Sequence, residues 1–462
     1  MGRWRDSMKP VTLTVGNKLL AYHLPKEIVE EMTSILIIDN PKFKECEKHG
    51  YSTRGVPSRL KFIEQYHDHV IMPRGAVNIL RRKLKEEEIE FKVIDDTASL
   101  PIDIKSNIKL HDYQEKACEK ILKRRFGVLQ APTGSGKTVM AIKIIEERKQ
   151  ATLIIVHTKE LMYQWRDRLQ EFTDVKEIGL QGDGHKEIKR VTVGIINTLQ
   201  KSAVRYDGFF GQVIVDECHR CPSTIFSKFI KKLNTKYMLG LSATPYRRDG
   251  LSQVINFFMG DTVHKIETKK LQEEGHILKA KVKIVKTKFN THVESVYDYQ
   301  RVIKEMVNNN SRNSLIVNKV IKQAGKKDGI VLVISDRKNH CHELWGRILE
   351  KGTGHTVLQV TGSTPPRVRK EAVTKLNAGK IDIVIATGQL IGEGFDLKSL
   401  SSIFLTTPIK YQGRLIQYIG RILRKADGKE KATIFDFDDP CWLLKGSFGK
   451  RMKTYKEMGV VK

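Results

Sequence analysis

From about residue 106 the chain falls into short apolar runs rich in β-branched residues: FGVLQA, TLIIVH, VTVGIIN, QVIVDE and YMLGLSA. Each has the length of a buried strand, and helically spaced apolar positions lie between them. That alternation predicts a parallel sheet wrapped by helices. The rhythm pauses between roughly 265 and 328, where QRVIKEMVNNNSRNSLIVNKVIKQAG reads as helical. It resumes with GIVLVIS, HTVLQVTG, IDIVIATG, SIFLTTP and ATIFDFDD. Before residue 106 the patterning is mixed. VTLTVGNKLLAYHL alternates like two strands joined by a Gly–Asn turn, and RGAVNILRRKLKEEE sets Val77, Ile79, Leu80 and Leu84 at helical spacing. DDTASLPIDIKSNIK reads as a linker. The expected architecture is α/β, with two tandem parallel-sheet domains (106–285 and 286–462) preceded by a small α+β accessory domain (1–105) that is a candidate DNA-binding element.

Length agrees, since 462 residues exceed one ordinary core. No apolar run reaches the roughly 18 residues that cross a bilayer, and MGRWRDSMKP has no apolar signal core. The expectation is a cytoplasmic protein, bacterial or of a phage-infected host, with no membrane partner. Six scattered cysteines suit reduced thiols. The net charge of +29 changes the picture more. Residues 1–100 carry 17 Lys/Arg against 15 Asp/Glu, whereas residues 301–462 carry 30 against 15. A field that positive favours a polyanion, nucleic acid before an anionic membrane.

The chemistry is concentrated in a few motifs. APTGSGKT (131–138) follows an apolar strand and opens a helix, the context a phosphate-cradling loop requires. Thr133, Gly134, Ser135 and Gly136 supply the cradle, Lys137 reaches the β/γ phosphates, and the Thr138 hydroxyl holds Mg²⁺. Ala131 stands where the strict pattern has glycine. QVIVDECH supplies the acidic partner at a strand end, with Asp216 for Mg²⁺ and Glu217 to polarise the attacking water. The cofactors expected are therefore ATP and Mg²⁺. His219 reads as a coupling residue at the γ-phosphate side. Cys218 and Cys221 lack a second pair at zinc spacing, and the HCH at 340–342 lies where a strand gives way to a helix.

Together these motifs resemble the superfamily 2 helicases and translocases over about residues 107–445, which implies that the two parallel-sheet domains are RecA-like. By that resemblance LHDYQ holds the adenine-reading Gln114. HTKELMYQW with Thr158 and Lys159, GDG (182–184), and INTLQ with Thr198 and Gln200 fall where such proteins touch the strand backbone. SATP (242–245) resembles the coupling motif. IATGQLIGEGFD places Thr387 toward the strand and Gly394 and Asp396 toward nucleotide. QYIGRILR sets Gln417, Arg421 and Arg424 on one helical face, and the two arginines would meet the γ-phosphate when the lobes close. SATPYRRDG, VNNNSRNSLIV and QVTGSTPPRVRKEAV, with Thr361 as a strand contact, resemble the XPB-like and UvsW-like branch. An Arg-Glu-Asp loop of that branch is matched here by Arg247, Arg248 and Asp249, with a base in place of the middle acid; Arg247 and Arg248 are expected to touch nucleic acid.

The resulting expectation is an ATP-dependent DNA helicase or translocase, monomeric in its core, that remodels forked or branched DNA. Three alternatives stand beside it: an RNA helicase, a motor subunit that moves on duplex DNA without strand separation, and a basic binding module with a vestigial nucleotide site.

Overall fold

A computed structural model describes residues 10–201, 206, 208–220, 224–243, 251–388, 399–409, 412–426, 429 and 432–461. The candidate residues Arg247, Arg248, Gly394 and Asp396, together with Cys221, Asp249 and the last two positions of SATP, lie outside them. Two compact units emerge, one of residues 1–131 with 136–265, the other of residues 132–135 with 266–462.

Beside a two-stranded antiparallel pair, Ile37–Asp39 with Arg59–Lys61, the first unit holds two main sheets. The smaller has the order Glu64–Gln65, His69–Pro73, Lys18–Tyr22, Val11–Val15, Phe91–Asp95, antiparallel except for the last pair. Val11–Val15 and Lys18–Tyr22 are the strands expected around Gly16–Asn17. The helix expected over RGAVNILRRKLKEEE is Val77–Glu86, led by a 3-10 turn, Arg74–Ala76.

The larger sheet runs His185–Lys186, Ile178–Gly182, Val191–Ile195, Thr152–Val156, Gln212–Asp216, Tyr237–Ser242, Phe126–Gln130, Thr262–Lys265. All neighbours are parallel except the first pair. Its central strands are apolar on both faces because helices cover both, so their residues are buried almost without interruption. In such sheets ligands bind at the carboxyl ends of the strands. Gln130, Val156, Ile195, Asp216 and Ser242 end five adjacent strands there, and the first-unit motifs named above start at or just beyond those ends, apart from LHDYQ and from GDG, which lies at the end of Ile178–Gly182.

The amino-terminal sheet and this larger sheet share one apolar core. Leu13, Leu19, Met32 and Leu80 belong to the same buried cluster as Val128, Val213, Phe257 and Phe258. Phe62 meets Phe257 and Phe258 at ring-centroid distances of 5.5 and 6.0 Å. Arg74, 1% exposed, donates to the Gly16 carbonyl and to Thr235 Oγ1 (3.1 Å), with its guanidinium over the Phe126 ring. Burial lowers its pKa to about 10, so it stays charged at neutral pH. The segment read as a linker is extended but laced down: Ala151 N donates to Leu100 O (2.7 Å), Ile102 N to Lys149 O (3.0 Å) and Ser106 N to Glu146 Oε1 (2.8 Å). Its polar composition gave no sign of these backbone bonds.

The second unit is a six-stranded sheet, parallel throughout: Ala280–Lys286, Ala432–Asp438, Leu400–Leu405, Ile330–Ser335, Ile383–Thr387, Val357–Val360. The stretch read as helical contains two helices, Tyr299–Val307 and Asn310–Ala324; Asn309 caps the second by accepting from Arg312 N at 2.9 Å. Two buried ion pairs sit beyond and within Ala432–Asp438: Arg312 with Asp439, and Arg451 with Asp436, which also accepts from Tyr455. The carboxyl-terminal helix Trp442–Glu457 thus turns Arg451 inward.

His340, from the HCH triplet, lies in the helix Lys338–Glu350 and is buried. Nε2 is 3.0 Å from Asn313 Oδ1, which can only accept, so Nε2 carries the hydrogen; Nδ1 accepts from Ser335 Oγ at 3.0 Å. The ring is therefore neutral, and burial, with Arg312 and Arg347 nearby, lowers its pKa to about 3. In the unfolded chain an ordinary histidine takes its proton near pH 6.5. Stability contributed by the neutral ring is thus complete above about pH 6.5 and is lost as pH falls toward 3. Between pH 7 and 5 the expected loss is about 2 kcal/mol, at 1.36 kcal/mol per unit. Denaturant midpoints at the two pH values check this, and His340→Gln should flatten the difference.

Candidate functional site

The phosphate loop links the strand Phe126–Gln130 to the helix Lys137–Arg148. Gly134 and Gly136 have φ of 90° and 79°, left-handed values that turn backbone N–H groups toward one point and that L side chains rarely adopt. Ser135 is buried, its hydroxyl donating to Pro132 O at 2.7 Å. Lys137 opens the helix, and its Nζ donates to Ala131 O at 3.0 Å across the loop. Thr138, half-buried, follows in the first turn.

Gln114 lies beside this loop although it is 22 residues upstream. It is the third residue of the helix Asp112–Leu122, is buried, and accepts from His111 N through Oε1 at 3.0 Å. That bond fixes its amide, and a Cβ at Gly136 would overlap Nε2. Gly136→Ala therefore meets both a left-handed φ and an occupied space. Holding alanine in that conformation costs roughly 1–2 kcal/mol. Nucleotide affinity is expected to drop about tenfold, since 1.4 kcal/mol is a factor of ten; titration with a fluorescent ADP measures it.

Asp216 ends the strand Gln212–Asp216. Its Oδ1 accepts from Glu217 N (2.9 Å) and its Oδ2 from Trp165 Nε1 (2.9 Å). Glu217 stands at φ 50°, a strained backbone for a non-glycine residue and a mark of functional sites. Its Oε2 is 3.2 Å from His219 Nδ1, which is 3.1 Å from Ser242 Oγ. Ser242 O in turn accepts from Ala131 N at 2.9 Å. One chain of contacts thus runs from Glu217 through His219 and Ser242 to the start of the phosphate loop. Burial pushes the Asp216 carboxyl up, and the Glu217 charge adds to the shift against Trp165 and Lys137. Burial also acts to raise Glu217, but the contact with His219 and the charges of His219, Lys137 and His157 hold it below its ordinary range.

Two carboxylates crowded at a strand end, one of them driven toward protonation, suit a divalent cation, which would relieve that repulsion. ATP with Mg²⁺ fits the residues present.

The strand-contact candidates of the first unit lie on the same edge of its larger sheet. Thr158 caps the helix Lys159–Phe172, accepting from Leu161 N at 3.3 Å. Lys159 Nζ is 3.4 Å from Asp183 Oδ1, and Tyr163 OH donates to Asp183 Oδ2 at 2.9 Å, so HTKELMYQW and GDG form one cluster. Thr198 and Gln200 are half-buried on the helix Ile196–Lys201. In the second unit Thr361, buried, follows Val357–Val360 with its N–H on Thr364 Oγ1 (2.9 Å), and Thr387 ends Ile383–Thr387. Gln417 and Arg421 lie on the helix Gln412–Ile422 and Arg424 just past it, all three half-buried. Tyr418 of that helix donates to Gly388 O at 2.7 Å, tying it to the residue after Thr387.

Trp165, whose Nε1 donates to Asp216, is the site contact that sequence reasoning passed over. It falls in step with Met162 and Leu169 and reads as core, which it also is. Its one polar atom was the available signal, because a buried indole N–H needs an acceptor.

Residues 107–247 match the family described as Type III restriction enzyme, res subunit, and residues 312–426 the family described as Helicase conserved C-terminal domain. Among solved structures, a fragment of an HsdR subunit of a type I restriction enzyme from Vibrio vulnificus YJ016 shares the fold. Its TM-score is 0.57 at 17% identity, over 75% of this chain and 66% of that one. Fold, motif order and matched domains define a superfamily 2 helicase, an enzyme that hydrolyses ATP and binds nucleic acid.

Within that superfamily the chain is similar to XPB-like and UvsW-like proteins. The DNA 3'-5' translocase XPB2 of Sulfurisphaera tokodaii is 28% identical over 376 residues, 74% of this chain and 84% of the relative. The ATP-dependent DNA helicase uvsW of Enterobacteria phage T4 is 29% identical over 377 residues, 77% and 74% respectively. Among the described residues no helix is long and apolar enough to cross a membrane.

Proposed function

We propose that the protein is a monomeric motor on DNA that remodels forked or branched substrates. The observation that carries this is the shared sheet edge of the first unit, where the phosphate loop, the Asp216–Glu217 pair and the Thr158–Lys159–Asp183 cluster all lie at carboxyl ends of strands of one sheet. Nucleotide and strand would act on the same rigid layer. The choice of DNA rests on the two relatives, whose names specify DNA, and on the resemblance of the second-unit motifs.

In this reading Gln114 orients the adenine, and the loop N–H groups with Lys137 hold the phosphates. Thr138 and Asp216 would hold Mg²⁺, which would supply charge neutralisation to the phosphates. Glu217 accepts a proton from the attacking water, while His219 keeps its carboxylate ionised and turned to the loop. Arg421 and Arg424 stabilise charge on the transferred phosphoryl group, with Gln417 beside them. Thr158, Lys159, Thr198, Gln200, Thr361 and Thr387 grip sugar–phosphate, which positions a strand without reading its sequence.

Strand separation and ATP turnover across a panel of forks, four-way junctions, blunt duplexes and RNA hairpins test the reading. Greatest activity on forks or junctions is expected. Activity confined to RNA, or to duplex without strand separation, would move the protein to another class of motor.

A further inference from the structure

The helix Lys159–Phe172 starts two residues after the strand Thr152–Val156 ends, so its first turn stands at the carboxyl edge of the sheet. Its outer side carries Lys159 and Tyr163, both on Asp183. Its inner side carries Met162, Trp165 and Leu169, all buried. Trp165 is 1% exposed, and its N–H donates to Asp216 Oδ2 at 2.9 Å, on the strand that neighbours Thr152–Val156 in the sheet. With Glu217 N on Oδ1, each carboxylate oxygen of Asp216 has a fixed donor.

We propose that Trp165 is a positioning residue: it orients the Asp216 carboxylate for the metal and ties that carboxylate to the helix whose first turn meets the strand. This rests on Asp216 being the metal-holding carboxylate. A planar acceptor held on both oxygens by donors from two different elements has little freedom to turn. Because Trp165 and Lys159 share one helix and are less than two turns apart, a strand that draws Lys159 from Asp183 acts on the same rigid rod that holds Asp216. Nucleic-acid stimulation of ATP turnover then has a route inside the first unit, separate from the His219–Ser242 contact.

The test uses the full chain with Trp165→Phe and Trp165→Leu, which both remove the N–H but differ in volume. Mn²⁺ binding in the presence of ADP, read by electron paramagnetic resonance, is expected to weaken roughly tenfold or more in both variants alike, the size typical for loss of a partner that orients a metal ligand. The Mg²⁺ midpoint for ATP turnover should rise in step, and stimulation by DNA should shrink. Thermal midpoints should instead follow side-chain volume. Mn²⁺ affinity within about twofold of wild type in either folded variant overturns the proposal, as does a loss that tracks only the thermal midpoint.

Should both variants fail to fold, a chain with Trp4→Phe, Trp345→Phe and Trp442→Phe leaves Trp165 as the sole tryptophan. Its emission should change on adding Mn²⁺ with ADP and again on adding DNA; indifference to both overturns the proposal. Asp216→Asn separates the two levels. If it binds Mn²⁺ as wild type does, the metal assignment and the Trp165 role fall together. If it loses Mn²⁺ while the Trp165 variants do not, the Trp165 role falls alone.

Discussion

Glu217→Gln is expected to lower ATP turnover by at least about 100-fold while ATP still binds. General-base assistance contributes roughly 10²–10⁴ in rate, and an amide cannot accept the proton. The substitution preserves shape, and the main-chain bond from Glu217 N to Asp216 Oδ1 does not involve the side chain. The contact at 3.2 Å with His219 Nδ1 loses the carboxylate charge but not its place, so the chain of contacts through Ser242 to Ala131 should survive. The fall should therefore appear in kcat, with nucleotide affinity close to wild type. Steady-state turnover and a parallel nucleotide titration read both. Turnover within about threefold of wild type would remove Glu217 from the chemistry.

Lys137→Ala should be comparably severe but different in kind. Lys137 is the first residue of the helix Lys137–Arg148, where the backbone amides and helix dipole already favour an anion. Its Nζ rests on Ala131 O at 3.0 Å and reaches across the loop that phosphate would fill. Removing a preorganised positive group from developing phosphoryl charge costs on the order of 10²–10³ in rate. Because that charge also binds the ground state, nucleotide affinity should fall as well. The two substitutions are thus told apart by titration: Glu217→Gln binds and does not turn over, whereas Lys137→Ala does both poorly.

Much of this was legible in the chain because the sheets are parallel and buried on both faces. Ten apolar runs, from FGVLQA to ATIFDFDD, each became a strand, with ends within a few residues of the pattern. Strands at or near sheet edges were harder. Ala280–Lys286 reads AKVKIVK, whose lysines guard an exposed edge and hide the strand in a region that looked helical. His185–Lys186 is two residues long, and Thr262–Lys265 is mostly polar. Motif order brought the phosphate loop, Asp216 and Glu217 to one sheet edge because each is anchored to the end of a central strand. Lateral contacts were not legible. The approach of Gln114 to Gly136, the indole of Trp165 on Asp216 and the inward turn of Arg451 depend on how helices pack, which one-dimensional patterning does not encode.

The central claim is that ATP turnover is coupled to DNA through the strand ends of one sheet. The most direct measurement is steady-state ATP hydrolysis by the wild-type chain with no nucleic acid, with single-stranded DNA and with a forked duplex. Turnover is predicted to be low alone and to rise several-fold or more with DNA, most with the fork, and to fall at least about 100-fold in Glu217→Gln under every condition. Equal turnover with and without DNA would contradict the account.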